Sequence, residues 1–180
     1  MNTEFYDFQA KADHPTNRSE LPLLFQALVT ERFRLQFHRE TRTLPCLELT
    51  VDKGGHKLTL NDGPDKWEIM ITGDGGGPPP APPRFKGVRA SMPYLCWWIA
   101  QRENRPVVDK TGLPGFYDFK LEFAPDLGGR PLVVNGEQFP GFDGPTIFTA
   151  LRQQLGLRLE STKGPVDVMV IDHVEHATDN

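Results

Sequence analysis

The chain has no excess of positive charge, little cysteine and no long apolar run, and each shortage closes a class of function. Twenty Lys and Arg stand against 24 Asp and Glu in 180 residues, a formal net charge of -4. Such a balance leaves no electrostatic footprint for a polyanion, so nucleic acid is not an expected partner. No apolar stretch approaches the roughly 18 residues of a membrane span, and Met1 opens into polar residues without a signal-peptide pattern. The two cysteines, Cys46 and Cys96, sit in apolar surroundings and read as buried thiols rather than as a disulfide. There is no Gly-x-Ser-x-Gly elbow, no phosphate-binding Walker loop and no His-Glu-x-x-His. Of the histidines only His173 and His176 lie close together, and one pair without a third ligand does not make a zinc site. No metal and no cofactor is expected.

What the chain does have is alternation. The stretch VVDKTGLPGFYDFKLEF, residues 107–123, places Phe119, Leu121 and Phe123 against Asp118, Lys120 and Glu122. That is a strand with one buried and one wet face. The tetrapeptide FYDF of residues 116–119 recurs at residues 5–8, which predicts a second such strand over 5–12. After it, Ser19 offers a helix cap for residues 20–33, with Pro22 in the first turn and a buried stripe of Leu21, Leu24, Phe25, Leu28 and Phe33. Leu35 and Phe37 alternate, a charged turn is expected over 39–42, and Leu47, Leu49 and Val51 alternate again.

The same order returns at the other end. Pro145 opens a helix with Ile147, Phe148, Leu151 and Leu155 inward, Gly156 stops it, and two strands are expected on either side of a turn at 161–164. A third copy stands between, with Ser91 as cap, Pro93 in the first turn, a helix over 92–103 and strands at 106–108 and 116–123. The predicted fold class is therefore α+β, built of repeated helix-strand-strand units with helices packed on mostly antiparallel sheets. The first copy looks cut short, as though the chain were truncated at its N-terminus. The strand at 5–12 would then be an edge open to edge-strand pairing or a homodimer.

Two inserts separate the units. One holds a hairpin expected across Asn61-Asp62-Gly63-Pro64, followed by GDGGGPPPAPP, a stiff tether. The other, residues 124–144, is rich in Gly and Pro, with a short hairpin expected at 132–139. The expected domains are 1–72, the tether 73–83, and 84–180.

The segments LLFQALVTERFRLQFHRETRTLPCLELTVDKGG, RPVVDKTGLPGFYDFKLEF and TIFTALRQQLGLRLESTKGPVDVMVIDHVEHATDN resemble the soil-associated protein family of Acidobacteria, a domain family of unknown function. Members of that family are longer at the N-terminus and often begin with an export signal. The resemblance thus implies an extracytoplasmic protein and agrees with truncation. It offers no catalytic residues to carry over. More distantly, the helix-strand pattern is similar to the short N-terminal domains of secretins and TonB-dependent receptors, which are interaction modules.

Three features invite a chemical reading. Asp109-Lys110-Thr111-Gly112 is the order in which P-type ATPases present a phosphorylated aspartate. A hydrolase or phosphatase using Asp109 and Thr111 is the alternative it raises, although Asp and Thr before Gly also make a simple turn. Asp52, Asp109 and Asp172 each follow a branched apolar residue and read as strand-end turn residues. On the middle helix Met92, Leu95 and Ile99 face inward while Trp97 points nearly opposite, and Tyr94 lies one turn away. The indole is expected either to lie under a cover such as the tether or to anchor a partner. The leading expectation is a non-catalytic binding or sensor module for a protein partner or small ligand, acting through Trp97 and Tyr94.

Overall fold

Polar runs without Gly-Asn or Pro-Gly chemistry have no obligation to turn, and here two of them do not. In the computed structural model, which describes residues 7–11, 15–16, 20–61, 63, 69–73, 81–128, 130–134, 136–139 and 141–177, the run Glu40-Thr41-Arg42-Thr43 continues a single strand, β1 (Gln36–Val51). Ser161-Thr162-Lys163-Gly164 likewise stays inside one strand, β9 (Leu157–His173). The two neighbour each other, and Thr41 Oγ1 donates to Asp167 Oδ1 at 2.7 Å. Threonine suits a pleated surface, and a facing strand satisfies these backbones better than two separate turns would.

The described chain divides into two compact units. The first takes residues up to Arg39 together with those from Met169 onward. It holds α1 (Leu21–Arg32). Phe8 packs edge-on to Phe25 at 5.4 Å and tilted against Phe33 at 6.1 Å, and Glu175 N donates to Phe33 O. Asp172 binds His38 Nδ1 at 2.8 Å. The expected buried stripe does not face inward, since Leu21, Leu24 and Phe25 are exposed, Phe25 by 53%.

The second unit, Glu40–Val168, contains the hydrophobic core. One sheet has the order β5-β1-β9, in which β5 (Val107–Asp109) runs parallel to β1 with Leu47 opposite Val107 and Leu49 opposite Asp109. The other has the order β2-β6-β4-β3: β2 (Thr59–Leu60), β3 (Ile69–Gly73), β4 (Arg84–Ser91) and β6 (Phe116–Glu122), all antiparallel. Between β4 and β5 stands α2 (Met92–Glu103), capped by Ser91, whose Oγ accepts from Tyr94 N, and ended by Asn104 in the left-handed region. Its buried face is Met92, Leu95, Cys96, Trp98 and Ile99. Both cysteines are buried and free. On β6, Tyr117, Phe119 and Leu121 are buried while Lys120 faces solvent, the alternation expected of a sheet wet on one side. A short hairpin, β7 (Leu132–Val134) with β8 (Glu137–Phe139), forms as expected.

The repeated helix-strand-strand architecture is overturned. Strand residues outnumber helical ones among the described residues, and they form three sheets in a mixed α/β arrangement. The first and last helices each lead into one long strand, and β5 and β6, expected as a pair, enter different sheets. The hairpin expected across residues 61–64 does not form either, because β2 and β3 lie on opposite edges of their sheet. Of the strand expected at 5–12, residues 7–11 have no strand conformation and the rest lie outside the described residues, as do residues 74–80 of the tether.

The last helix, α3 (Ile147–Ala150), widens into a π-helical turn, Leu151–Leu155, closed by Gly156 at φ 65°. The loop after β1 wraps this end: Asp52 N donates to Gly156 O at 2.9 Å and Lys57 N to Leu155 O at 2.8 Å. A Cβ on Gly156 would stand 2.2 Å from the Gly55 carbonyl oxygen. Both the left-handed backbone and the backbone clash oppose a side chain. Gly156→Ala should therefore lower unfolding free energy by about 2 kcal/mol or more in urea titration; a loss below about 0.5 kcal/mol, the range of an innocuous surface change, would show that this close approach is not built into the fold.

Candidate functional site

Residues four apart on a helix stack on one stripe, so Tyr94, Trp98 and Arg102 share a side of α2, with Trp97 beside it. Trp98 is the anchor of that stripe. Its ring meets Phe85 of β4 edge-on at 5.0 Å and Phe123, just past β6, at 6.1 Å, and the two phenyl rings stack at 5.2 Å. Arg102 closes the stack from above. Its guanidinium carbon lies 3.5 Å from the Trp98 ring centre and 5.3 Å from that of Phe85, and Nη1 donates to Trp98 O at 3.0 Å. Burial lowers the pKa of this guanidinium, with the Tyr94 hydroxyl opposing the shift, yet an arginine keeps its charge.

The stack floors a cleft of about 360 Å³, whose wall adds Glu103, Asp126 and Phe148. Burial pushes the Glu103 carboxyl above its ordinary range, the charge of Asp126 pushes the same way, and Arg105 opposes both. Asp126 is itself fixed, its Oδ1 accepting from Gly128 N at 2.8 Å. The cleft thus offers aromatic faces, one stacked cation and two carboxylates, the mixture of apolar wall and few polar groups that holds small ligands. Trp97 is 54% exposed, its ring 5.4 Å from that of half-buried Tyr94 and tilted by 33°. Such an exposed, paired indole presents a flat apolar face.

The other residues singled out by sequence lie elsewhere and are held in local contacts. Asp109 is exposed at the end of β5, where its Oδ1 accepts from Thr111 N at 2.9 Å and Thr111 Oγ1 at 2.8 Å, and Thr111 Oγ1 accepts in turn from Leu113 N. Asp52 binds Arg152 Nε at 2.9 Å, which with the Lys53 backbone holds its carboxyl below the usual range. Asp172 is the last residue but one of β9, near the strand end, and meets His38. His173 pairs with Glu175. Among the described residues, no three His, Cys, Asp or Glu gather as a metal-binding group. Cys96 is no nucleophile, since burial and then the charge of Asp109 raise its thiol to about 12. The sequence singles out Trp97 and Tyr94 as surface candidates but not Arg102, Glu103 or Asp126, which line the cleft. The available signal was the four-residue step from Trp98 to Arg102; nothing local marks Asp126.

The direction of the Glu103 shift fixes a pH test. An acid whose pKa rises on folding contributes stability below its unfolded value, here 4.5, and loses that contribution as pH climbs through the folded value. The melting temperature of Glu103→Gln relative to the parent should therefore increase between pH 4 and pH 7. A difference that stays constant over this range would mean that the cleft does not desolvate this carboxyl.

No curated protein and no solved structure matches the chain. The model of one family, described as "Protein of unknown function (DUF3738)", matches residues 1–174, and the chain belongs to that family.

Proposed function

We propose that this chain is a non-catalytic binding module of an extracytoplasmic protein, and that its ligand lies against the Trp97-Tyr94 pair, with the cleft at Arg102 on the same helix as a further contact. The observation that carries this reading is the contrast along α2: Trp98 is buried in an aromatic stack, whereas its neighbour Trp97 leaves half its surface in solvent, paired with the Tyr94 ring. Tryptophan, tyrosine and arginine are the residue types most enriched where binding energy concentrates. The rival, a small hydrolase or phosphatase acting through Asp109, draws less support, because that carboxylate is exposed and turned back on Thr111. The extracytoplasmic setting rests on the family resemblance alone.

Two outcomes test the reading together. Trp97→Ala should cost no more than about 1 kcal/mol, roughly 2–4 °C in Tm, because little is buried; Trp98→Ala should cost about 3–5 kcal/mol as a core truncation. On arrays of immobilised glycans and peptides, labelled parent protein should retain spots that Trp97→Ala and Arg102→Ala lose and Asp109→Asn keeps. Retention by Trp97→Ala with loss in Asp109→Asn would contradict the proposal.

A further inference from the structure

A groove beside the wet face of the four-stranded sheet gathers three lysines, two of them side by side on adjacent strands. Lys86 of β4 stands directly opposite Lys120 of β6. Lys57 lies in the loop just before β2, where its N–H donates to Leu155 O, and it lines the same groove. Neighbouring strands lie about 4.8 Å apart, so Lys86 and Lys120 rise side by side. All three are exposed, and together with Thr59, Asp118 and Gln154 they line a groove of about 380 Å³. This groove shares no residue with the cleft beside α2.

Like charges placed opposite one another on adjacent strands destabilise a sheet. Asp118 also lines the groove, but no ion pair joins it to any of the three lysines. Asp118 accepts from Arg89 N at 2.8 Å and from Asn61 Nδ2 at 3.0 Å, and Glu122 stands opposite Arg84. Among the described residues, none of the three lysines forms an ion pair. Lys57 Nζ donates to Gln153 O at 2.6 Å, which holds one ammonium at the groove wall. The backbone adds a donor. Gln154 occupies both the N–H and the carbonyl of Glu122, so Glu122 turns its polar groups away from β4; alternation then turns those of Lys120 the same way, toward the groove. Below, Gly87 leaves room for the Phe119 ring, which a Cβ there would meet at 2.5 Å.

We infer that this groove binds a small molecule bearing two or more anionic groups, phosphate or carboxylate, bridged by Lys57, Lys86 and Lys120. One monovalent ion would relieve only one contact of the group, whereas a multiply charged ligand neutralises neighbours at once. The chain's net charge of -4 does not forbid this, because charges beyond about 8 Å are largely screened at physiological salt.

Thermal shift and calorimetry with sodium pyrophosphate and with sodium citrate, against sodium chloride at matched ionic strength, decide the matter. Either anion should raise the Tm of the parent protein beyond the chloride control; pyrophosphate alone would assign a phosphate ligand and citrate alone a polycarboxylate. Lys120→Gln should weaken binding on the order of tenfold, the worth of one charge-assisted contact, and Lys163→Gln, on β9, should not. Without ligand, Lys120→Gln should melt at or above the parent temperature, since a repulsion has been removed. No response beyond chloride, or a response that survives in Lys86→Gln/Lys120→Gln, would overturn the inference.

Discussion

The rotation of α2 about its own axis is set by one interaction, the burial of Trp98 against the stacked rings of Phe85 and Phe123 with Arg102 laid over its face. A helix so anchored cannot roll without tearing an aromatic stack worth several kcal/mol. Its orientation has two results. Leu95 and Ile99 are fully buried in the core that the sheets of the second unit share, and Trp97, one position from the anchor, has to point outward. Arg102 serves as part of the packing through its stacked plane and as part of the cleft through its charge.

Elsewhere in the second unit polar groups are largely committed to holding backbone in place. Asp118 satisfies Arg89 N at a break in the β4-β6 register, where Arg89 is buried, has φ 51° and donates to the carbonyls of Asn61 and Gly63. Asp109 ties a turn, Asp52 ties a loop to Arg152, and Gln154 caps an open stretch of β6. Against that background two exposed features without such duties are conspicuous: the Trp97 ring and the facing pair Lys86 and Lys120. Both suit recognition, one through an apolar face and the other through charge.

Where a local signal and its physical cause coincide, the sequence is legible. Ser91, Pro93, a 3.6-residue apolar stripe and the stop near Asn104 define α2; alternation defines β6; Gly156 ends the π turn because a side chain there would strike Gly55. Where a partner strand decides, legibility fails. The charged run at 40–43 extends because β9 lies beside it, β5 runs parallel to β1 although it precedes β6 like half a hairpin, and β2 and β3 seek separate neighbours. The apolar residues of α1 match a buried stripe by period alone, yet Leu21, Leu24 and Phe25 remain exposed. The cleft is hidden for a related reason, since Phe85, Arg102, Phe123 and Phe148 converge from four separate segments, and an insert that looks like decoration supplies Asp126.

The chain has three tryptophans, so a nitrogen-proton correlation spectrum contains three indole signals, each assignable by single substitution. Titration with a library of small aromatic and polar fragments reads the binding surface directly. If the outward face of α2 is that surface, the Trp97 indole signal and the amides of Arg102, Glu103 and Phe148 will move together on binding while the Trp98 indole barely shifts. Shifts that gather instead on residues 109–113, with the Trp97 indole unmoved, would contradict the account.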